Sequence, residues 1–472
     1  MDADEFRRLG HALVDWIAAL RETSAARPVM SQVAPGEIRA TLPAAPPERG
    51  GQLDPIAQLE AILPGITHWN HPSFFAYFPS NASYASVLGD LACAGLGVQG
   101  MSWQTSPAAT EVEEVVMDWL RQMVGLSDAW TGVIHDTAST ATLCALICAR
   151  ERSLGFAPAG LQGDGAPLVV YASSGAHSSV DKAVRLAGFG KANLHLVEVD
   201  AAYAMRVDAL AAAIEADRAA GRVPCAVCAT TGTTNTTAFD PLAAIAEVTE
   251  RHGLWLHVDA AMAGSAMVVP ECRPLWHGIE RADSLVLNPH KWMGVGFDLT
   301  AYYVRDPQHL IRVMGTNPAF LRTAQDGQVS NFRDWQIPLG RRFRALKLWF
   351  LLLDQGVEGL RARIRRDLAN AQWLAGEIAR DPSWEIVAPV VLQTVCVRHV
   401  AGDDANLAIA RALNDRGRAY LTPSVLDGRQ ILRISIGSER TERAHVAALW
   451  DELRAVATAP SAPASPASAA SR

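Results

Sequence analysis

Apolar and polar positions in this chain fall into two rhythms, and the rhythm changes along its length. At the start, MDADEFRRLGHALVDWIAALRE sets Phe6, Leu9, Leu13, Trp16, Ile17 and Leu20 at helical spacing with charges between them. This predicts an amphipathic helix rather than a secretory signal. The proline-rich RPVMSQVAPGEIRATLPAAPPERG that follows predicts an extended connector. From about residue 81 the short apolar runs PLVVYAS, NLHLVEVD, PCAVCAT, LWLHVD, SLVLN and TAYYV alternate with helical stretches such as SSVDKAVRLAG, VDALAAAIEADRAAG and PLAAIAEVTERHG. The last two helical stretches end at glycines suited to stopping a helix. Such alternation predicts a doubly wound α/β domain with a largely parallel sheet.

Past RRFRALKLWFLLLDQG and the helical EGLRARIRRDLANAQWLAGEIAR the pattern shifts. WEIVAP, LQTVCVRHV, a hairpin YLTPSVL-DG-RQILRISI and helices around 404–416 and 440–456 predict a smaller α+β domain. The final ATAPSAPASPASAASR lacks the residues to bury a core and is expected to be disordered. The expected organisation is an N-terminal helical and extended segment (1–80), a large domain (81–345), a small domain (346–457) and a tail (458–472). No internal repeat interrupts it.

Composition narrows the function classes. The 472 residues correspond to about three domains by length, and 49% hydrophobic residues is ample for sizeable cores. A net charge of −7 with no long basic run argues against nucleic acid and anionic membrane as partners. No apolar run approaches the ~18 residues needed to cross a bilayer, so a cytoplasmic protein is expected. The seven cysteines are odd in number and sit mostly in apolar segments, unlike a disulfide framework. Cys225 and Cys228 spell CxxC, but VPCAVCAT reads as a buried strand in which residues three apart face opposite ways, which favours structural thiols. GLGVQG, Gly95 to Gly100, fits the dinucleotide pattern GxGxxG. It follows the helical SVLGDLACA with no strand leading in, so the motif has no force.

The residues that carry chemistry lie at strand ends. In LVLNPHKWMGVGFD, Lys291 is set among Leu285, Val286, Leu287, Trp292, Met293 and Val295. Such a lysine either snorkels to water or, desolvated, loses its proton and becomes a nucleophile for a carbonyl. In LWLHVDAAMAG a strand delivers Asp259 to its carboxyl end, where ligands bind in open α/β sheets. His257, two residues earlier, is placed to orient it. VIHDTASTATLCALICARE puts Thr137, Ala138 and Ser139 at a helix start, which is either an ordinary cap or a phosphate cradle. ATTGTTNTT puts Thr234 on a polar loop after a buried strand, and YASSGAHSSVDKA puts His177 between a strand end and a helix. A phosphate cradle, an acidic strand end, an imidazole and a lysine in apolar surroundings are together what pyridoxal 5'-phosphate requires.

Read together, WNHPSFFAYFPS, TASTATL, AHSSVDKA, TTGTTN, HVDAAMAGSA, NPHKW and WQIPLGRRFRALKLWF resemble the group II pyridoxal-phosphate decarboxylases, in particular the aromatic L-amino-acid decarboxylases, over about residues 5–455. The resemblance implies the aspartate-aminotransferase-like fold (fold type I) and a homodimer whose N-terminal segments wrap the partner. It also implies decarboxylation of an aromatic L-amino acid to its amine. In this family's pattern Lys291 would hold the cofactor as a Schiff base, Asp259 would pair with its pyridine nitrogen, His177 would stack on the ring and Ala261 would pack on the other face. Thr137, Ala138, Ser139, Asn288 and His290 would grip the phosphate, with Thr234 near the ring substituents. Trp69, Tyr77, Phe78, Pro79 and Ser80 would wall the substrate, and Gly340 would approach from the other subunit.

Two departures stand out against that pattern. The family's mobile loop carries a tyrosine that helps protonate Cα, whereas NPAFLRTAQDGQVSNFRDWQIPLG is about two residues shorter and has Phe320 at that place. The same exchange in plant relatives accompanies oxidative formation of an aldehyde with ammonia, carbon dioxide and peroxide, which is the alternative reading. Gln99 and Met101 stand where the animal enzymes carry larger apolar or aromatic residues. An aminotransferase would need an arginine on the substrate carboxylate, for which Arg433 is the small-domain candidate.

Overall fold

The computed structural model describes residues 1–458 apart from 52, 164, 317, 319, 320, 322 and 323. The expected disordered tail beyond 458, and Phe320, lie outside the described residues. The alternating region forms a seven-stranded sheet of β1 (Thr131–His135), β2 (Leu168–Ser173), β3 (Leu194–Val197), β4 (Val223–Thr230), β5 (Trp255–Asp259), β6 (Ser284–Leu287) and β7 (Thr300–Val304), in the order β1-β7-β6-β5-β4-β2-β3. β7 runs antiparallel to both of its neighbours, and the other pairs are parallel. The carboxyl ends of β1, β2, β4, β5 and β6 therefore open on one edge. β2 and β5 are buried throughout, which is why they read as continuous apolar runs instead of alternating ones.

Each sheet face has its own core. Val169, Tyr171, Val227 and Ala229 join the larger cluster, whereas Val170, Ala172, Ala226 and Cys228 pack beneath α6 (Ala138–Leu154) and α7 (Ser178–Leu186). The CxxC expectation needs correcting. The β2–β4 register slips between Val169 and Val170 and skips Cys225, a bulge that leaves both thiols on the α6 side. Cys225 lies 3.2 Å from Ser153 on α6. Both are free, and burial pushes their pKa values up, making the thiols less acidic.

The N-terminal region holds α1 (Ala3–Glu22), α2 (Glu37–Thr41), α3 (Pro55–Ile62), α4 (Tyr84–Leu96) and α5 (Pro107–Val124). The connector is less extended than expected, because EIRAT closes a short helix after Gly36. Gly97, with φ of 62°, ends α4, and GLGVQG is thus a helix terminus with no strand before it. After α8 (Val207–Ala219), α9 (Leu242–His252) and α10 (Pro307–Met314), the 34-residue α11 (Ala345–Ile378) breaks its helical conformation at Gly356 (φ 61°, ψ 177°). Leu348, Leu351 and Leu360 of α11 enter the large core, and Ala371, Leu374 and Ile378 enter that of a second sheet. That antiparallel sheet, β10-β11-β9-β8, is built from β8 (Trp384–Ile386), β9 (Thr394–His399), β10 (Thr422–Leu426) and β11 (Arg429–Ser435). Leu413 of α12 (Asp403–Asp415) and Leu449 and Leu453 of α13 (Arg443–Thr458) share its core. Asp427 and Gly428, both at positive φ, make the two-residue turn that the DG dipeptide predicts.

Candidate active site

Five strand ends on the common edge, those of β1, β2, β4, β5 and β6, carry the predicted residues. After β1, Asp136 Oδ1 accepts from Thr137 N at 2.6 Å. Thr137 occupies the N-cap position of α6 without bonding a first-turn amide, and its hydroxyl lies 3.4 Å from that of Thr140. Ala138 and Ser139 thus open a helix whose leading N–H groups receive no side-chain cap, an arrangement suited to an anion. After β6, Asn288 Oδ1 accepts from Thr300 Oγ1 at 2.9 Å, and the same hydroxyl lies 3.2 Å from the carbonyl of Asp136. The two halves of the cradle are joined there. His290 Nδ1 accepts from Leu299 N at 3.1 Å, which leaves the proton on Nε2. Burial, then the neighbouring Lys291 charge, lowers its pKa to about 3.

His177 caps α7, its Nδ1 accepting from Ser179 N at 3.2 Å and lying 2.8 Å from Ser179 Oγ. Burial lowers its pKa, Asp259 opposes that shift and Lys291 adds to it, so the three charges sense one another. Asp259, buried at the end of β5, accepts on Oδ1 from Ala261 N at 3.0 Å. The Ala261 carbonyl in turn accepts from Asn288 N at 2.8 Å. The expected role of His257 as a guide for Asp259 is not what the structure shows. Its Nε2 lies 3.2 Å from Thr142 Oγ1 and its Nδ1 2.9 Å from Ser284 Oγ, so it ties β5 to α6 and β6. Thr234 is exposed, and its carbonyl accepts from Arg433 Nε at 2.6 Å.

Lys291 sits in a single π-helical turn, Pro289–Met293, a wide turn often found at functional sites. Burial lowers its pKa, Asp259 counters and Arg433 adds to the lowering. Among the described residues it forms no ion pair with a carboxylate. Its Nζ lies 5.4 Å from the centre of the Phe78 ring, which Arg433 approaches to 4.4 Å. Arg433 Nη2 is buried without a partner among the described residues.

The predicted substrate wall divides in two. Phe78 and Pro79 stand by the lysine turn, Phe78 under the Lys291 amine and Pro79 against Gly437 beside Trp292, while Trp69 stacks on Tyr77 at 5.5 Å and Ser80 adjoins the buried Asn81. Gln99, Met101 and Gly340 form a separate group. Gln99 Oε1 accepts from Arg341 N at 2.6 Å, Gly340 lies against the Gln99 side chain and the Met101 carbonyl accepts from Arg333 N. Gln99 and Gly340 line a cavity of about 400 Å³ with His135, Asp136, Thr140 and Arg341. Phe320 lies outside the described residues. Sequence reasoning missed Asn81, Arg363 and Asp367, which hold the lysine turn from behind. Asn81 adjoins the predicted wall and could have been noticed, whereas the two α11 residues gave no local signal.

The chain matches the pyridoxal-dependent decarboxylase conserved domain over residues 35–400. It belongs to that family. Family membership makes it a pyridoxal-phosphate-dependent carboxy-lyase. Phenylacetaldehyde synthase of Arabidopsis thaliana is 41% identical over 470 residues, 95% of each chain. Aromatic-L-amino-acid decarboxylase of Sus scrofa is 41% identical over 475 residues, 97% of each. A solved structure of Oryza sativa TDC with PLP and tryptamine superposes with a TM-score of 0.94 at 38% identity, covering 97% of this chain and 98% of that one. The α/β fold of type I anticipated from the sequence is the one these pyridoxal-phosphate decarboxylases share.

Proposed function

We propose that this carboxy-lyase takes an aromatic L-amino acid and releases its amine and carbon dioxide, with Lys291 as the residue that holds pyridoxal phosphate. The convergence of Lys291, Asp259 and His177 beside an uncapped helix start carries the reading. The cofactor, when bound, supplies a sink for the electrons of the breaking Cα–carboxylate bond. Burial favours the neutral, nucleophilic amine of Lys291, the form that would hold the cofactor. Asp259 places a negative charge where a protonated ring nitrogen is favoured. Thr137, Ala138, Ser139, Asn288 and neutral His290 would hold the phosphate, Ala261 and His177 would bracket the ring, and Thr234 would lie toward its substituents. Trp69, Tyr77, Phe78, Pro79 and Ser80 would bound the substrate together with Gln99 and Met101, and Gly340 would reach the site of a partner subunit. Where Phe320 has no proton to give, His177, whose Nε2 carries the proton once Nδ1 is engaged, or water would supply it at Cα.

A homodimer is supported by bare apolar surface on α1 and α4. A cytoplasmic setting is supported by seven free cysteines and by the absence, among the described residues, of a helix able to cross a membrane. A second reading, oxidative formation of an aromatic aldehyde, draws on Phe320 and on the 41% identity to a phenylacetaldehyde synthase. The test is to incubate the holoenzyme with tyrosine, tryptophan, phenylalanine and dopa and assay amine, aldehyde and peroxide together. Amine alone supports decarboxylation, and peroxide in step with aldehyde replaces it. Phe320→Tyr should move a mixed product spectrum toward amine.

A further inference from the structure

Asn81 is 1% exposed and is bonded at three points on two segments distant from it in sequence. Its Nδ2 donates to the Lys291 carbonyl at 3.1 Å and to the Gly437 carbonyl at 2.8 Å. Its Oδ1 accepts from Glu439 N at 2.7 Å. Two acceptors and one donor thus converge on a carboxamide, and among short side chains asparagine alone offers two N–H groups and an oxygen. Gly437 and Glu439 belong to the loop between β11 and α13, so Asn81 joins the lysine turn to the four-stranded sheet. The joint is tight: a Cβ on Gly437 would stand 2.8 Å from Pro79 Cγ and 3.3 Å from Trp292 Cδ1.

The far side of the same turn is held by α11. Asp367 Oδ2 accepts from Trp292 Nε1 at 2.8 Å. Arg363 Nη1 donates to the Trp292 carbonyl at 2.8 Å, and Nη2 donates to the Met293 carbonyl. Both residues are buried; among the described residues Arg363 Nε has no hydrogen-bond partner, and Asp367 Oδ1 has only an ion pair with Arg366 Nε at 3.5 Å. Packing alone is poorly served by buried charges left partly unsatisfied. Their bonds converge on the backbone and neighbour of Lys291, with Asn81 closing the opposite side.

We propose that Asn81 is a positioning residue for Lys291, coupling the docked position of the 437–439 loop to the placement of the lysine amine. This rests on Lys291 holding the cofactor, which borohydride trapping in the unaltered chain tests on its own. Asn81→Ala removes the partner of three backbone groups, the Gly437 carbonyl buried and the other two partly buried, and Asn81→Asp sets a carboxylate against two carbonyls. A shift of about 1 Å at a reacting group is enough to cost roughly a hundredfold in rate.

In the holoenzyme, both substitutions should lower kcat about ten- to a hundredfold while KM stays within about threefold. The pH midpoint of the bound cofactor's visible absorbance should move by about half a unit or more. Gly437→Ala, which pushes the same joint from its other end, should give the same pair of changes and serves if the Asn81 variants fail to fold. A fall in Tm with kcat and the absorbance midpoint unchanged would make Asn81 a structural residue only. A rise in KM alone would place its effect in the substrate wall. Either result overturns the proposal, while loss of trapping in the unaltered chain would instead remove the reading beneath it.

Discussion

The carboxyl edge of the large sheet and the outer surface of α1 and α4 are organised in opposite ways. At the edge, polar side chains are anchored from within the chain: Asp259 by Ala261, Asn288 by Thr300, and His177 by Ser179. On α4 the small residues Ser86, Gly89 and Cys93 turn inward, while Leu88, Leu91 and Leu96 are exposed, Leu91 by 54%. The inward face has no room for more, since a Cβ on Gly89 would lie 2.5 Å from the Lys347 Cα. α1 is amphipathic, yet buries no residue. Exposed apolar surface of this kind marks an interface. The cofactor end of the candidate site is wired within one chain, and the proposed second copy would cover the bare surface.

The sharpest way to separate the two regions is to break each alone. Lys291→Ala should reduce kcat by more than about a thousandfold and abolish the borohydride-trapped adduct, with dimer mass unchanged in analytical ultracentrifugation. Dissociation of that variant would show that the edge and the bare surface are not independent. Leu91→Asp should act in the other direction. Burying a leucine contributes about 1.5–3 kcal/mol, and two-fold symmetry counts it twice. The dimer should therefore weaken by at least about a hundredfold in Kd, while Lys291 in the resulting monomer still forms a trapped adduct. A Leu91→Asp variant that stays dimeric would move the interface off α4.

How much of this could be read in the sequence follows from where each signal resides. A sheet covered on both faces produces apolar runs, so β2, β4, β5 and β6 were legible, and loops at strand ends exposed Lys291, Asp259 and His177 as candidates. The hairpin turn at Asp427–Gly428 was legible because positive φ demands those residues. Features set by distant partners were not. The bulge at Cys225 arises from β2 some fifty-five residues away, and it reversed the expected facing of the CxxC pair. His257 seemed to belong to Asp259 by spacing alone, but Thr142 and Ser284 claim both its nitrogens. Nothing near Asp367 announces that it bonds Trp292, seventy-five residues earlier.

His257 also gives the smallest and most specific prediction, and it concerns the buried wiring rather than the bare surface. Burial lowers its pKa to about 4 against an ordinary value of 6.5. Above pH 6.5 it is neutral in both native and unfolded chains and contributes no slope. Between about 6.5 and 4 the unfolded chain takes up a proton that the native chain refuses, so stability falls as pH falls, by ~1.4 kcal/mol per pH unit for this one group. Asp367, whose pKa burial raises to about 6, works the other way between 3.8 and 6 and partly offsets it. His257→Gln removes the proton site while retaining one donor and one acceptor for Thr142 and Ser284. Urea titrations from pH 7 to pH 4.5 should show a slope shallower by about one proton, with the dimer unaffected. An unchanged slope would mean that His257 is protonated in the native chain, which would require one of its two hydroxyl partners to turn its oxygen toward a second N–H.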